Sequence, residues 1–198
     1  MFELFQRIGR DLFLTGVISS HGGNMSVRMG DRILITRRGS NLAWLEERDI
    51  IDIGFREDDS NVMLASSEIV VHRAIYANTT AQAIVHTHPP YTIVRSLVSD
   101  EIVPIDSEGS YLLKRVPVVA SELTVGSTDV ARVVSQQLKE YPIVVLRGHG
   151  AFSVGNLLEE AYQWTSSLEV ACKIIAIAGS TREEFKEYRK GSDRYATW

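Results

Sequence analysis

Ala83-Ile84-Val85-His86-Thr87-His88-Pro89-Pro90 is a short apolar run that ends in two histidines and is stopped by two prolines. A run of this length, bounded by breakers, reads as a strand over residues 82–88. Alternate residues of a strand share a face, so His86 and His88 point the same way and can reach one metal ion. A second apolar run, Ile143-Val144-Val145-Leu146, leads into Arg147-Gly148-His149-Gly150 and then a further strand over 151–154. Glycines beside His149 allow a turn tight enough to aim the ring from a strand end. His-x-His alone also describes two polar residues on a half-exposed strand. With His149 added, the set becomes three neutral imidazoles with an open fourth position, the donor set of a catalytic zinc.

The rest of the chain supplies a scaffold for such a set. Phe5, Ile8, Leu12 and Phe13 fall on one face of a helix over 2–17. A Ser/Gly/Asn loop follows, then strands over 25–28 and 32–36 around Met29-Gly30-Asp31, and a strand over 49–54. A helix over 66–78 begins at Ser66-Ser67-Glu68, with Ser66 or Ser67 as its N-cap. Pro90 can open a helix to about residue 97. Strands are expected at 102–105 and 115–119, and helices over 127–139 and 157–178. Short links between strands point to antiparallel pairing, and the long helices must then cover the sheet in a layered α/β domain.

Composition excludes several classes. A length of 198 residues with 44% hydrophobic content suits one domain over 1–198, with 180–198 as a charged C-terminal tail. The net charge of -4 argues against a nucleic-acid partner. The single cysteine, Cys172, rules out an intrachain disulfide and a multi-cysteine zinc site. No apolar stretch is long enough to cross a membrane, and the acid at Glu3 is unlike a signal peptide, so a cytoplasmic location is expected.

Three other clusters can carry chemistry. Ser66-Ser67-Glu68 offers hydroxyls and a helix N-terminus, which suits a phosphate; the plain alternative is an ordinary cap with an acid in the first turn. Glu68 near a metal is either a fourth ligand or a general base; a helix start lowers its pKa and burial raises it. Gly22-Gly23-Asn24-Met25-Ser26 can present amides to an anion, or be a simple connecting loop. Arg37-Arg38-Gly39-Ser40, at the end of a strand, is either a guanidinium site for phosphate or carboxylate, or a solvated turn. Of the other histidines, His72 reads as packing or facing solvent, and His21 lies in the glycine loop.

Together these motifs resemble the class II aldolase/adducin family: Gly23-Asn24-Met25-Ser26, the segment ending in Gly39, Ser66-Ser67-Glu68, His86-Thr87-His88 and Gly148-His149-Gly150 occur in the family's order. The resemblance implies a three-layer α/β/α fold with a central, mostly antiparallel sheet. It implies one zinc ion per subunit on His86, His88 and His149. Glu68 would be the acid/base residue, and Asn24, Gly39, Ser66 and Ser67 would hold a substrate phosphate. The implied activity is reversible cleavage of a ketose 1-phosphate of the fuculose 1-phosphate type. The products would be dihydroxyacetone phosphate and an aldehyde, formed through a zinc-stabilised enediolate. The family's aldolases form homotetramers with active sites at subunit interfaces.

Two departures from the family pattern matter. Arg38 stands where the family's aldolases have a threonine, and joins the phosphate-binding candidates. The family's tyrosine proton donor falls near Glu108, which becomes a catalytic candidate, with Tyr111 as the alternative. The same scaffold carries an epimerase, a methylthioribulose-1-phosphate dehydratase and sugar-acid phosphate decarboxylases. The epimerase has an aspartate where Glu68 stands, so Glu68 favours an aldolase. Outside enzymes, the alternative is a non-catalytic adducin-like interaction module; a zinc hydrolase would rest on the histidines alone. Tyr188, Tyr195 and Trp198 in the tail are either a frayed end or a lid over a neighbour's site.

Overall fold

The run over 83–87 forms β4 (Ala83–Thr87), buried at every position. In the computed structural model, which describes residues 1–57, 59–181, 184 and 186, it lies near the middle of an eight-stranded sheet. The other strands are β1 (Asn24–Met29), β2 (Arg32–Thr36), β3 (Ile50–Gly54), β5 (Glu101–Ile102), β6 (Val116–Val119), β7 (Ile143–Leu146) and β8 (Gly150–Gly155). Their order is β3-β2-β1-β4-β8-β7-β6-β5. Every pairing is antiparallel except β6 with β7.

Strand alternation sends apolar side chains to both faces, and helices cover each. Ile33, Ile35, Ile53, Ile84 and Phe152 face α2 (Ile69–Asn78) and α5 (Thr128–Gln137). Met25, Ala83 and Val85 face α1 (Phe2–Leu14) and the start of α6 (Leu158–Ser180). Farther along, α6 also covers Ile143, Val145 and Ala151, with α3 (Pro90–Ser96) and α4 (Ser107–Leu112) packed against it. This is a three-layer α/β/α fold with a central, mostly antiparallel sheet. Among the described residues, no helix is long and apolar enough to cross a membrane.

Several boundaries differ from the sequence reading. Helix α2 starts at Ile69, and neither Ser66 nor Ser67 caps it; the cap position is Glu68, without a side-chain cap bond. Ser66 instead forms a turn of its own, its carbonyl accepting from the Ile69 N–H and its hydroxyl from the Glu68 N–H. The strand expected over 102–105 is only two residues long. Beyond it the chain turns into α4, where the Asp106 carboxylate accepts the Gly109 N–H at 2.7 Å. An N-cap aspartate three residues before a glycine was the local signal for this helix. Most of the tail, Tyr188, Tyr195 and Trp198 included, lies outside the described residues.

Candidate metal and phosphate site

Register places the site in one row across the sheet. Asn24 on β1 is opposite His86 on β4, and His86 is opposite Phe152 on β8. The His86 ring stacks on Phe152, centroids 3.9 Å apart. His88 lies just past β4, its backbone N–H donating to the Val17 carbonyl at 2.9 Å.

Helix α3 ties this segment to the His149 turn. At its start, the Glu169 carboxylate accepts from the Tyr91 and Thr92 N–H groups and from the Thr92 hydroxyl. Near its end, the Ser96 carbonyl accepts from Arg147 and the Ser96 hydroxyl from the Gly148 N–H. Gly148 has a φ of 70°, the left-handed turn conformation that glycine adopts without strain. One short helix therefore sets the distance between the two histidine-bearing segments. Glu169 in this role carried no signal in the sequence, since it lies 77 and 78 residues from the groups it holds.

The three rings converge through their Nε2 atoms. His86 and His88 are 3.0 Å apart there, His86 and His149 3.1 Å, and His88 and His149 3.2 Å. The His86 Nδ1–H donates to the Ala151 carbonyl at 2.9 Å, and the His149 ring donates to the Thr124 carbonyl. In neutral rings both bonds leave Nε2 as a bare lone pair. Burial, then the neighbouring His88 and His149, holds His86 well below the usual histidine range. Burial and His149 bring His88 to about 4, and burial lowers His149.

Lone pairs facing one another at this distance repel unless a cation sits among them. A tetrahedral ion with ligands at about 2.0–2.1 Å separates them by about 3.3–3.4 Å. The observed triangle is close to that, so the donor set fits a metal ion.

Glu68 is buried, one carboxylate oxygen accepting the Gly126 N–H at 3.1 Å and the other, Oε2, buried without a partner. Of the two opposing influences on its pKa, burial wins and raises it, with the Gly126 bond opposing. The loop over 124–126 thus holds both Glu68 and His149, a link invisible to the sequence reading.

Gly126 has a φ of 55°, and a Cβ there would lie 2.5 Å from the Ser67 carbonyl oxygen. Gly126→Ala is expected to cost about 1–2 kcal/mol from backbone conformation alone. By moving Glu68 it should also lower turnover by about 10²-fold. Thermal unfolding and steady-state kinetics check this, and an unaltered kcat would refute the loop's role.

The anion-binding candidates gather beside this centre. The Met25 N–H donates to the Thr36 hydroxyl, the Ser66 N–H to the Thr36 carbonyl, and the Arg38 N–H to the Leu64 carbonyl. These bonds draw the Asn24 loop, the 37–39 turn and Ser66 together. Asn24 and Ser66 are buried, while Ser67, Arg38 and Gly39 are exposed. Two amides at the start of α2, those of Glu68 and Ile69, are already bonded within its own turn to Ser66. Glu108 and Tyr111 are exposed on α4, one helical turn apart. His21 is exposed, paired with Ser20 and not one of the converging histidines. His72 is fully buried beside Asn24.

In this chain a three-layer α/β/α fold brings together three facing imidazoles and a buried carboxylate. The chain belongs to the class II aldolase and adducin N-terminal domain family, whose sequence model matches residues 3–176. It is 31% identical over 176 residues to an L-fuculose phosphate aldolase of Methanocaldococcus jannaschii, spanning 87% of this chain and 94% of that one. It is 30% identical over 185 residues to a 3-oxo-tetronate 4-phosphate decarboxylase of Haemophilus influenzae, spanning 87% and 85%. Among solved structures, the L-fuculose-1-phosphate aldolase of Thermus thermophilus superposes with a TM-score of 0.86 at 34% identity, covering 92% of this chain and 98% of that one.

Proposed function

We propose that this chain is a zinc-dependent aldolase that cleaves a ketose 1-phosphate, of the fuculose 1-phosphate type, to dihydroxyacetone phosphate and an aldehyde. The observation that carries the reading is the unpartnered Oε2 of Glu68, whose other carboxylate oxygen is held by the same loop that holds His149 in the histidine trio. Two relatives named as fuculose phosphate aldolases support it.

His86, His88 and His149 would hold one zinc ion per subunit. Zinc, when bound, supplies Lewis-acid stabilisation of the negative charge that develops at the substrate oxygens as the C–C bond breaks. Asn24, Arg38, Gly39, Ser66 and Ser67 would grip the phosphate, whose remote binding energy orients the reacting carbons. Glu68 Oε2 carries a proton to and from the substrate carbon at which the bond breaks. A carboxyl with a raised pKa is suited to both accepting and returning that proton. In cleavage, Glu108, or Tyr111 on the same side of α4, would in the site of a second copy accept the proton lost by the substrate hydroxyl that becomes the aldehyde, and would return it in the aldol direction. That role requires active sites at subunit interfaces, and the resemblance to the family's aldolases makes the assembly a homotetramer. We read residues 1–198 as one such domain, acting in the cytoplasm.

A second reading follows from the decarboxylase relative and the exposed Arg37-Arg38 pair. A sugar-acid phosphate could bind with its carboxylate on those arginines and lose carbon dioxide instead of an aldehyde. The deciding experiment incubates zinc-loaded protein with a panel of ketose 1-phosphates and sugar-acid phosphates. Release of dihydroxyacetone phosphate is expected. Carbon dioxide release would install the decarboxylase, and loss of water alone a dehydratase. Absence of both turnover and bound metal would point to an adducin-like module.

A further inference from the structure

Beside Asn24 runs a buried polar chain that the proposed chemistry does not use. The His72 Nε2 lies 2.6 Å from Asn24 Oδ1, the Ser26 hydroxyl 2.6 Å from His72 Nδ1, and the Tyr76 hydroxyl 2.7 Å from Ser26 Oγ. All four residues are buried, His72 and Ser26 completely. Two periodicities produce the chain. Asn24 and Ser26 share a face of β1 as i and i+2, and His72 and Tyr76 share a face of α2 as i and i+4.

Acceptor chemistry sets the direction of every bond. An amide oxygen only accepts, so His72 Nε2 carries the proton. Burial pushes the His72 pKa down to about 3, so the ring is neutral and Nδ1 is an acceptor. Ser26 therefore donates to Nδ1, and its oxygen accepts from the Tyr76 hydroxyl. With Oδ1 occupied, the Asn24 amide cannot rotate its carbonyl toward the anion site without breaking the 2.6 Å bond. Its two N–H donors are left for that site.

We infer that His72 is a positioning residue for phosphate binding: through Nε2–H it fixes the Asn24 amide with its donors toward the substrate phosphate. The inference rests on the proposed role of Asn24 in holding phosphate. Without His72, the amide can present its oxygen to the anion, which repels it.

The test measures binding of inorganic phosphate to the zinc-loaded protein by calorimetry, together with KM, kcat and zinc content. His72→Phe should weaken phosphate binding roughly tenfold, the scale of a hydrogen bond to a charged group, and raise KM by a similar factor. Zinc content should be unchanged and kcat should fall less than KM rises. His72→Gln, whose amide N–H can replace Nε2–H, should recover most of the affinity. Ser26→Ala, a smaller change that frees the ring proton to move to Nδ1, should weaken phosphate binding several-fold while preserving the fold. In an Asn24→Ala background, His72→Phe should have no further effect on phosphate.

Equal losses from His72→Phe in both backgrounds would overturn the inference, as would unaltered phosphate affinity in both His72→Phe and Ser26→Ala. If Asn24→Ala itself leaves phosphate affinity intact, the phosphate reading of Asn24 falls and the inference with it.

Discussion

Glu68→Gln is expected to retain zinc and the fold while turning over substrate about 10²–10⁴-fold more slowly, the range for loss of a positioned general acid–base. The substitution is nearly isosteric. One amide oxygen can still accept the Gly126 N–H, so the loop over 124–126 and the His149 contact it carries should persist. What disappears is the group that takes up a proton at the Oε2 position, now buried and without a partner. The amide adds two N–H donors there, and no described group accepts from that position, so a modest loss of stability is also expected. Zinc by atomic emission, thermal unfolding and kcat separate these effects. Full activity in a metal-loaded Glu68→Gln protein would remove Glu68 from the mechanism. Loss of zinc with loss of activity would instead make it a metal ligand.

His86→Ala, His88→Ala and His149→Ala are each expected to lose bound zinc and, with it, essentially all turnover. Three facing lone pairs form a site only as a set, since two imidazoles leave half of a tetrahedral shell to water. Binding to the folded state alone should stabilise the wild type by about 2.7 kcal/mol at a free zinc concentration of 100 Kd. For a chain of this size that is a rise of roughly 5–10 °C in Tm. Chelation should abolish the rise in the wild type, and zinc should produce none in the variants. His86→Ala should be less stable than the other two even without metal, by about 2 kcal/mol or more. It removes a fully buried ring stacked on Phe152, whereas His88 and His149 are only half-buried. Unchanged zinc content in all three variants would eliminate the trio as the site.

How much of this was legible beforehand varies with the range of the interaction. The strands over 83–87 and 143–146 and the faces of α1 and α5 follow from periodicity, which acts over a few residues. His86 and His88 converge as strand alternation requires, and His149 joins them at a glycine turn that sequence also marked. Asn24 and Ser66 were legible as candidates through their loops. Helix α4 was missed because it spans only Ser107–Leu112, too short for a clear apolar period. The cap of α2 was misplaced because Ser66 hydrogen-bonds a residue early. Gly126 with Glu68, Glu169 with α3 and His72 with Asn24 left no trace, because partners 48 to 78 residues apart have no shared local pattern.

By itself the sequence determined which segments become strands and helices, and which donor chemistries the chain can offer a metal or an anion. Local sterics and the burial of apolar side chains govern those choices residue by residue. Only the tertiary structure decided what each histidine does. It left His21 on the surface, locked His72 against Asn24, and brought the Nε2 atoms of His86, His88 and His149 to within 3.0–3.2 Å of one another. Those distances depend on how β4, β8, α3 and the loop over 124–126 pack together, and packing is a property of the assembled core rather than of any one segment.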